Sequence, residues 1–172
     1  MSDGEALQEK LDALEARVRV VEDAQAIQDL KTRYAELVDR RYTRGRPRDA
    51  EALADIASQV AALFAPDAVW DGGPALGTCT GRDAIAARMR EPTLQFSWHF
   101  FLKPRIEVDG DRAKARWDVL SPCTTEDGRP HWMLGTEDDE YRRVDGVWLH
   151  QHMKLTAVFL APHDSGWTRI FV

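Results

Sequence analysis

The second half of the sequence contains four long runs of strand-forming residues separated by short turns. Three of these turns include an Asp-Gly pair, at residues 109–111, 126–130 and 145–146. An Asp-Gly pair between alternating apolar and polar runs is a strong signal for a β-hairpin. We therefore predict a meander of long antiparallel strands. The predicted strands are 94–108, 113–121, 131–144 and 147–160.

The first half of the sequence is organised by apolar residues at helical spacing. A heptad-like stripe on a charged segment is formed by Leu7, Leu11, Leu14, Val18 and Val21. The stripe covers too few heptads to predict a coiled coil. We interpret it as a helix face that packs on its own domain or on a neighbouring subunit.

Further helices follow this stripe. Its phase is lost at residues 22–23, where Asp23 is a residue type that caps helices, so we predict that a second helix starts there. Two more helices are predicted over 50–64 and 81–90, and a short extended segment begins at Ala68. Helices followed by a strand meander favour an α+β fold, with the helices against one face of a curved sheet.

The second predicted helix contains a phenol and a carboxylate beside an apolar face. Its apolar stripe includes Tyr34, and the segment ends at Asp39. These two groups suit proton transfer on an apolar molecule, although a core tyrosine and a solvated aspartate fit the pattern equally well. Asp39 lies well off the centre of the stripe at ~100° per residue, so it points inward only if the helix bends or ends near Val38.

Composition limits the class of protein. A chain of 172 residues with 44% hydrophobic and 30% charged residues is ordinary for one globular domain. The formal charge of −6 argues against a nucleic-acid partner. We interpret a local arginine run as a solvated loop that also offsets Asp39 at a helix end. The run consists of Arg40, Arg41, Arg44, Arg46 and Arg48.

Cysteine usage and hydropathy bear on the compartment. Cys79 and Cys123 form neither a metal-binding pattern nor a disulfide framework, which favours a reducing cytoplasm. The polar amino terminus has no signal-peptide core, and no apolar run approaches the ~20 residues of a membrane span. We therefore expect a cytoplasmic protein with no membrane partner.

The order of several segments resembles that of SnoaL-like members of the nuclear transport factor 2-like superfamily. The matching segments are AIQDLKTRYAELVD, LFAPDAVWDGG, GRDAI, HFFLKPRIEVDGDRAKARWDVL and DDEYRRVDGVWLHQHMKL. The resemblance implies a cone-shaped α+β barrel, with helices packed on a strongly curved antiparallel or mixed sheet around one deep apolar cavity. We assign residues 1–22 to a helical extension and 23–172 to this domain. Relatives include dehydratases, dehydrochlorinases, isomerases and an epoxide hydrolase, and many relatives are not enzymes.

The dehydratase-like relatives imply a catalytic set. They place a tyrosine, an aspartate five residues later and a histidine near the first long strand in the cavity, and Tyr34, Asp39 and His99 match these positions. In this scheme Asp39 holds one ring nitrogen of His99 while the other removes a substrate proton. The alternative for His99 is a partly exposed strand histidine, because the apolar face of its segment contains Trp98, Phe100 and other apolar residues.

Other residues are candidates for catalysis or substrate binding. Arg116 and Asp118 share a strand face as in limonene epoxide hydrolase, but the second aspartate of that family is replaced here by His150. An ion pair at the surface or at an interface is our preferred interpretation of Arg116. His152 and Lys154 are candidates for the position where relatives often have an arginine, and His150 is a further candidate for catalysis or substrate binding. The pair His150 and His152 also admits a metal site, which we do not favour. Trp117 and Trp132 are candidates for stacking on a substrate.

We predict from these residues a cofactor-independent lyase or isomerase that acts on a hydrophobic aromatic or polycyclic molecule, by elimination of water or formaldehyde. The alternatives are a non-catalytic small-molecule binding protein and an epoxide hydrolase that uses Arg116 and Asp118. No metal or cofactor is expected, because phosphate loops and nucleophile motifs are missing from the sequence. We expect a homo-oligomer, a dimer or trimer. The tail residues Trp167, Ile170 and Phe171 are predicted to dock on a neighbour or over the pocket mouth.

Overall fold

The computed structural model describes residues 3–168. Its helices are α1 (Asp3–Asp39), α2 (Ala50–Ala62), α3 (Gly73–Leu76), α4 (Arg82–Arg90) and a 3₁₀ turn at Gly166–Thr168. Its strands are β1 (Tyr42–Thr43), β2 (Arg46–Pro47), β3 (Phe64–Asp71), β4 (Thr78–Thr80), β5 (Phe96–Ser97), β6 (Phe100–Asp109), β7 (Arg112–Thr124), β8 (Pro130–Val144) and β9 (Val147–Pro162). None of the helices within residues 3–168 has the length and apolarity needed to cross a membrane.

Seven of the strands form one curled mixed sheet in the order β4-β3-β9-β8-β7-β5, and β6 also pairs with β7. The pair β3–β9 is parallel and the other pairs are antiparallel. The helices pack against the concave face of this half-barrel, where α1, α2 and β3 supply most of the core. The predicted α+β cone is therefore confirmed.

The hairpin connections follow the turn chemistry of the sequence. Asp145 and Gly146 join β8 to β9, and both have positive φ angles, 50° and 81°. Two positive φ angles are the requirement of a type I′ turn, which Asp-Gly satisfies best. Farther along the same pair of strands, the register shifts at Gly135. A Cβ at this position would lie 2.8 Å from the Thr156 carbonyl oxygen, so glycine permits the close approach of the two strands.

Helix α1 is one continuous helix of 37 residues, and the prediction that a second helix starts at Asp23 is wrong. The Asp23 carboxylate caps nothing. It accepts hydrogen bonds from Arg143 Nη2 at 2.6 Å and from Trp148 Nε1 at 2.9 Å. The change of apolar phase at residues 22–23 therefore marks the point where α1 meets the sheet. The predicted domain boundary falls inside this helix.

The ends of the other elements also differ slightly from expectation. α2 has Asp49 as its amino-terminal cap and stops at Ala62, two residues before the predicted end, because Phe64 already belongs to β3. The predicted strand 94–108 is divided into β5 and β6 by a break at residues 98–99. This break places His99 outside the regular alternation of either strand.

Candidate active site

A small pocket opens where α1 ends, between α4 and the break that separates β5 from β6. It has a volume of about 60 Å³, and its lining includes Tyr34, Arg41, Trp70, Ser97 and His99. Pockets for small molecules usually have volumes of ~300–1,000 Å³. A substrate of that size therefore requires movement of the pocket rim.

Asp39 is the last residue of α1, and its side chain points inward. The residue is only 5% exposed, although at ~100° per residue its position lies off the centre of the apolar stripe. The end of the helix at this residue allows the side chain to turn inward. Its Oδ1 and Oδ2 accept the backbone N–H of His99 at 3.1 and 3.2 Å. Oδ1 also lies 2.7 Å from His99 Nδ1. The end of the helix thus brings a carboxylate to both the backbone and the ring of His99.

His99 reaches this carboxylate because the strand is broken beside it. Trp98 and Phe100 point outward, with 47% and 46% of their surface exposed, while the His99 side chain is 19% exposed. The apolar face of the segment is therefore the outer one. The His99 ring stacks on Phe101, with centroids 6.1 Å apart. Since a carboxylate can only accept, Nδ1 carries a proton toward Asp39, and in the neutral ring Nε2 is left as the basic nitrogen.

Tyr34 contributes its hydroxyl to the same pocket. The hydroxyl oxygen accepts a hydrogen bond from Trp70 Nε1 at 3.0 Å, so its own proton is not used in that contact. Burial raises the pKa of Tyr34 to about 12. The phenol is accordingly neutral at ordinary pH and acts as a hydrogen-bond donor.

Two buried polar residues in the pocket lining, Arg41 and Ser97, were not predicted from the sequence. Arg41 is 8% exposed, so its interpretation as part of a solvated loop is wrong. Its Nε donates to the Val38 carbonyl oxygen at 3.0 Å and its Nη1 to Met89 Sδ at 3.6 Å, and it forms no ion pair with the described part of the chain. Ser97 is 1% exposed, and its hydroxyl has no hydrogen-bond partner within residues 3–168.

A second polar group, the interior cluster, lies deeper between α1 and the sheet and consists of Lys31, Glu137, Asp139 and Tyr141. Lys31 Nζ contacts Glu137 Oε2 and lies 2.8 Å from Asp139 Oδ2, to which the Tyr141 hydroxyl also donates at 2.8 Å. Burial raises the pKa of Asp139 to about 6, against the opposing effect of Lys31. Burial lowers the pKa of Lys31, but the two carboxylates outweigh it and the net shift is upward.

The sequence did contain a signal for the interior cluster. Glu137, Asp139 and Tyr141 alternate along β8 and therefore share one face of the sheet. Lys31 interrupts the apolar stripe of α1 one turn before Tyr34. A lysine at a buried helix position together with two carboxylates on one strand face indicates an internal ion pair.

His150 and His152 lie on opposite faces of β9. The register shifts between Glu140 and Tyr141, which pair with His152 and His150, so Gln151 is an extra residue in β9. His150 is completely buried among the rings of Tyr34, Phe64 and Tyr141, and neither ring nitrogen has a partner in the described residues. Burial lowers the pKa of His150 well below its usual value. The two rings cannot chelate one metal ion across the sheet.

Four of the other candidate residues lie away from the pocket. The predicted surface ion pair of Arg116 is confirmed, because its Nη1 donates to Asp138 at 3.0 Å. Asp118 accepts from Lys103 at 2.6 Å on the same outer face, where a groove includes His152. Trp132 donates to His163 Nδ1 at 3.1 Å. The arrangement expected for an epoxide hydrolase is therefore not assembled in the pocket.

Trp117 is buried, but its indole contacts the interior cluster and does not line the pocket. Its Nε1 donates to the Tyr141 hydroxyl at 3.3 Å. The tryptophan that lines the pocket is Trp70, which the sequence did not single out. In the predicted tail, Trp167 is 64% exposed and lies beside Phe159, with ring centroids 6.4 Å apart. Ile170 and Phe171 lie outside the described residues.

No group of three or more His, Cys, Asp or Glu side chains within the described chain is arranged to hold a metal ion. The chemistry that this pocket can support is instead that of the three side chains predicted to act together. They provide a carboxylate-bound imidazole, with a basic nitrogen, and a neutral phenol. Such a combination can remove a proton from carbon and donate a hydrogen bond to oxygen.

Comparisons with known proteins agree with this architecture. A candidate aromatic ring hydroxylase from Novosphingobium aromaticivorans is 25% identical, with a TM-score of 0.67, and the alignment covers 83% of this chain and 94% of that protein. Hexachlorocyclohexane dehydrochlorinase LinA-type3 from Novosphingobium barchaimii is 23% identical, with a TM-score of 0.66, and the alignment covers 95% of this chain and 98% of that protein. A candidate scytalone dehydratase from N. aromaticivorans is 20% identical, with a TM-score of 0.66, and the alignment covers 91% of this chain and 99% of that protein. At these identities, the last two likenesses concern the fold alone.

The comparison with curated proteins found no match. The SnoaL-like domain family matches residues 19–154, which include Tyr34, Asp39 and His99. This match spans most of the chain, from the part of α1 that approaches the sheet to the middle of β9. The chain therefore belongs to the SnoaL-like domain family and has its nuclear transport factor 2-like fold.

Proposed function

We propose that this protein is a cofactor-independent lyase that eliminates a small group from a hydrophobic cyclic or aromatic molecule. The observation that carries the proposal is the contact of 2.7 Å between Asp39 Oδ1 and His99 Nδ1 at the pocket. It leaves Nε2 of a partly accessible imidazole as a base next to the Tyr34 phenol. Proteins with a similar fold include a dehydrochlorinase and a candidate dehydratase, so the fold is compatible with elimination.

The reaction begins with the removal of a proton. His99 Nε2 accepts a proton from a carbon next to an activating carbonyl or ring, and the electron pair of the broken C–H bond forms a new double bond. Asp39 stabilises the imidazolium that results and fixes the orientation of the ring. The leaving group departs with the electron pair of its bond to carbon. Where that group is a hydroxyl, the Tyr34 phenol donates a hydrogen bond to it, and the proton now on His99 completes the water.

The walls of the pocket favour an apolar or aromatic substrate. Trp70, Tyr42 and Met89 line it together with the catalytic side chains. Aromatic and thioether surfaces bind flat apolar rings through offset stacking and dispersion. The ring of a substrate packed there would exclude water from His99, which prevents protonation of the base by solvent.

Turnover of β-hydroxy aryl ketones tests the proposal, because their dehydration to enones is followed by ultraviolet absorbance. The parent protein is expected to dehydrate members of a panel of such ketones. His99→Ala is expected to lower kcat/KM about 100- to 10,000-fold, the usual contribution of a general base. His152→Ala is the matched control, because His152 lies on the outer face, and its kcat/KM should equal that of the parent. Equal turnover by His99→Ala and the parent would exclude the proposed base.

A non-catalytic binding protein is the second candidate function. It is favoured by one observation, the small volume of the pocket, which already holds tightly bonded side chains such as Tyr34 and Trp70. Such a protein would bind aromatic ketones without converting them. Binding of the ketones with no enone formation, in the parent as in His99→Ala, would identify this function.

A further inference from the structure

The pocket contains a buried cation, Arg41, that has no anionic partner among residues 3–168. The residue is 8% exposed, and the contacts of its guanidinium within this part of the chain are a carbonyl oxygen, the Met89 sulfur and the face of Tyr42. A guanidinium has five N–H donors, and these contacts leave several of them unused. Burying a charge is costly unless it is paired, so a buried guanidinium in a pocket wall favours an anion beside it.

A second donor lies in the same lining. Ser97 comes just before the break that places His99, and its side chain is 1% exposed. Its hydroxyl has no hydrogen-bond partner within residues 3–168, which is rare for a buried polar group. Since Ser97 and Arg41 line one pocket with His99, a single bound group can accept hydrogen bonds from both.

We propose that Arg41 and Ser97 form a subsite for a carboxylate, so that the substrate carries this group next to its apolar part. The planar fork of the guanidinium matches the two oxygens of a carboxylate, and charge-assisted bonds of this kind are stronger than neutral ones. The subsite would hold one end of the molecule and present a neighbouring carbon to His99. This inference builds on the proposed function, because it names the substrate class of the same pocket.

Calorimetric titration with benzoate and benzamide tests the subsite without any turnover. The two probes have nearly the same shape and differ in charge. The parent protein is expected to bind benzoate about 10- to 100-fold more tightly than benzamide. Arg41→Met should abolish the preference, and Arg41→Lys should retain part of it because the charge remains without the fork. Ser97→Ala should weaken benzoate binding several-fold.

Two controls separate this test from the catalytic proposal. Arg40→Met removes a neighbouring exposed arginine and should leave the preference unchanged. His99→Ala should keep the benzoate preference although it loses elimination. Equal affinity of the parent for both probes, or no measurable binding of benzoate, would overturn the carboxylate subsite. Neither result would bear on the elimination of neutral ketones.

A different region, the amino-terminal part of α1, carries an independent inference. Residues 7–22 are all exposed, and the five apolar side chains of the heptad-like stripe are between 45% and 69% exposed. The stripe therefore does not pack on its own domain. It ends at Val21, just before Asp23 ties α1 to the sheet. Because this segment continues a helix that is fixed in the domain, it is already nucleated and presents a preformed seam.

The charges beside the seam indicate what covers it. With the apolar residues at positions a and d, Lys10 and Arg17 occupy position g, and Glu15 and Glu22 occupy position e. None of these four residues forms an ion pair within the described chain. In a parallel pair of helices, position g faces position e of the partner's next heptad, which pairs bases with acids. In an antiparallel pair, g faces g and e faces e, which pairs like charges.

We infer that residues 3–22 form a parallel two-stranded coiled coil with a second copy of this chain. Lys10 then lies opposite Glu15 of the partner subunit, and Arg17 opposite Glu22 of the partner subunit. Position a is occupied by Leu11 and Val18, and position d by Leu7, Leu14 and Val21. Leu14 at position d with Val18 at position a, in the middle of the seam, is the combination that favours two strands. The seam is short, so association depends on these ion pairs more than in a long coiled coil.

Sedimentation equilibrium of charge variants of the full chain tests the coiled coil. Lys10→Glu with Arg17→Glu places acids opposite acids and should weaken self-association at least about tenfold. Adding Glu15→Lys and Glu22→Lys restores opposite charges and should restore the parent affinity. Arg19→Glu with Arg33→Glu changes the net charge equally, away from the seam, and should have little effect.

Cross-linking decides the direction of the helices. Leu7→Cys in a Cys79→Ser background should form a disulfide-linked dimer on oxidation, because a parallel seam brings the two copies of position 7 together. An antiparallel seam would place this residue opposite the other end of the partner's stripe. The inference is wrong if charge reversal leaves self-association unchanged, if the Leu7→Cys variant does not cross-link, or if the coiled coil joins three chains.

Discussion

The pocket group, which consists of Tyr34, Asp39 and His99, and the interior cluster contain similar chemical groups but differ in their exposure to solvent. Each combines residues of α1 with residues of the sheet region, and each contains a phenol and a carboxylate bonded to a nitrogen group. In the interior cluster the Tyr141 hydroxyl donates to the carboxylate, whereas in the pocket the Tyr34 hydroxyl accepts from Trp70. In the pocket group the His99 side chain is 19% exposed. In the interior cluster the Lys31 and Asp139 side chains are 1% and 0% exposed.

This difference shows that a perturbed ionisable group does not by itself identify an active site. Strong shifts in pKa are found at Tyr141 and His150, which are buried and do not line the pocket. Structural ion pairs perturb pKa values just as catalytic ones do. We propose that catalysis occurs at the pocket group because His99 Nε2 is left for a substrate to approach. We propose a structural role for the interior cluster because Lys31 is paired with both carboxylates inside the protein, although Asp139 Oδ1 has no hydrogen-bond partner among the described residues.

Removing the cation of the interior cluster is expected to have the largest effect on stability. Lys31→Met leaves Glu137 and Asp139 buried side by side without compensation, which should lower the free energy of unfolding by about 3–5 kcal/mol. Chemical denaturation of the variant measures this change. Lys154→Met, at an exposed position of β9, is the control and should change it little. A loss equal to that of the control would show that the cluster does not stabilise the fold.

Asp39→Asn should lower the rate of elimination. The amide can still accept the backbone N–H of His99, but it no longer stabilises the imidazolium, so kcat/KM for elimination should fall about 100-fold or more. Steady-state kinetics on the ketone panel provide the measurement, with Asp138→Asn on the outer face as the control. Parent-like kinetics for Asp39→Asn would remove the carboxylate from the mechanism.

The two buried phenols allow a direct comparison of the two regions. Tyr34→Phe should lower kcat about 10- to 100-fold, because a hydrogen bond to the leaving oxygen is lost in the transition state. Tyr141→Phe removes a donor from Asp139 and should lower the free energy of unfolding by about 1–3 kcal/mol without changing kcat. Steady-state kinetics and chemical denaturation of both variants measure these effects. A loss of kcat in Tyr141→Phe with no loss in Tyr34→Phe would contradict the proposed roles of the two phenols.

The smallest expected effect concerns the pH dependence of stability. Burial lowers the pKa of His150, so the unfolded chain binds a proton near pH ~6.5 that the folded chain does not. His150 therefore does not reduce the free energy of unfolding above that pH. As the pH falls below it, protonation of the unfolded chain lowers the free energy of unfolding by at most ~1.4 kcal/mol per pH unit. His150→Phe should lose less stability than the parent between about pH 7 and 5.5. Asp139, whose pKa is raised, titrates in both proteins, and its effect cancels in the comparison. Parallel curves for the two proteins would contradict this explanation.

Much of the fold could be predicted because local chemistry dictates it. The Asp-Gly turn at 145–146 defines a hairpin, and the apolar stripe of α1 defines which side faces the sheet. The inward position of Asp39 was predicted conditionally, on the helix ending near Val38, and α1 does end at Asp39. The contact between Asp39 and His99 was expected from the family resemblance, and the geometry of the two residues agrees with it. The catalytic roles of these residues remain predictions.

Two of the missed features depend on departures from regular periodicity, and a third depends on burial of a charge. The extra residue Gln151 reverses the alternation of β9, so His150 points inward and His152 outward although both were read as one face. The break before β6 likewise could not be read from a run of apolar residues. Arg41 was missed because a charge just beyond a helix end is usually solvated, and only the packing around the pocket shows that this one is buried.

Exchange of the α-protons of acetophenone with deuterium tests proton removal by His99 most directly, since it requires no leaving group. Nuclear magnetic resonance follows the loss of the methyl signal in D₂O with the parent, His99→Ala and His152→Ala proteins. We predict that the parent and His152→Ala accelerate the exchange equally and that His99→Ala does not accelerate it beyond buffer. Equal acceleration by the parent and His99→Ala would contradict the assignment of catalysis to the pocket group.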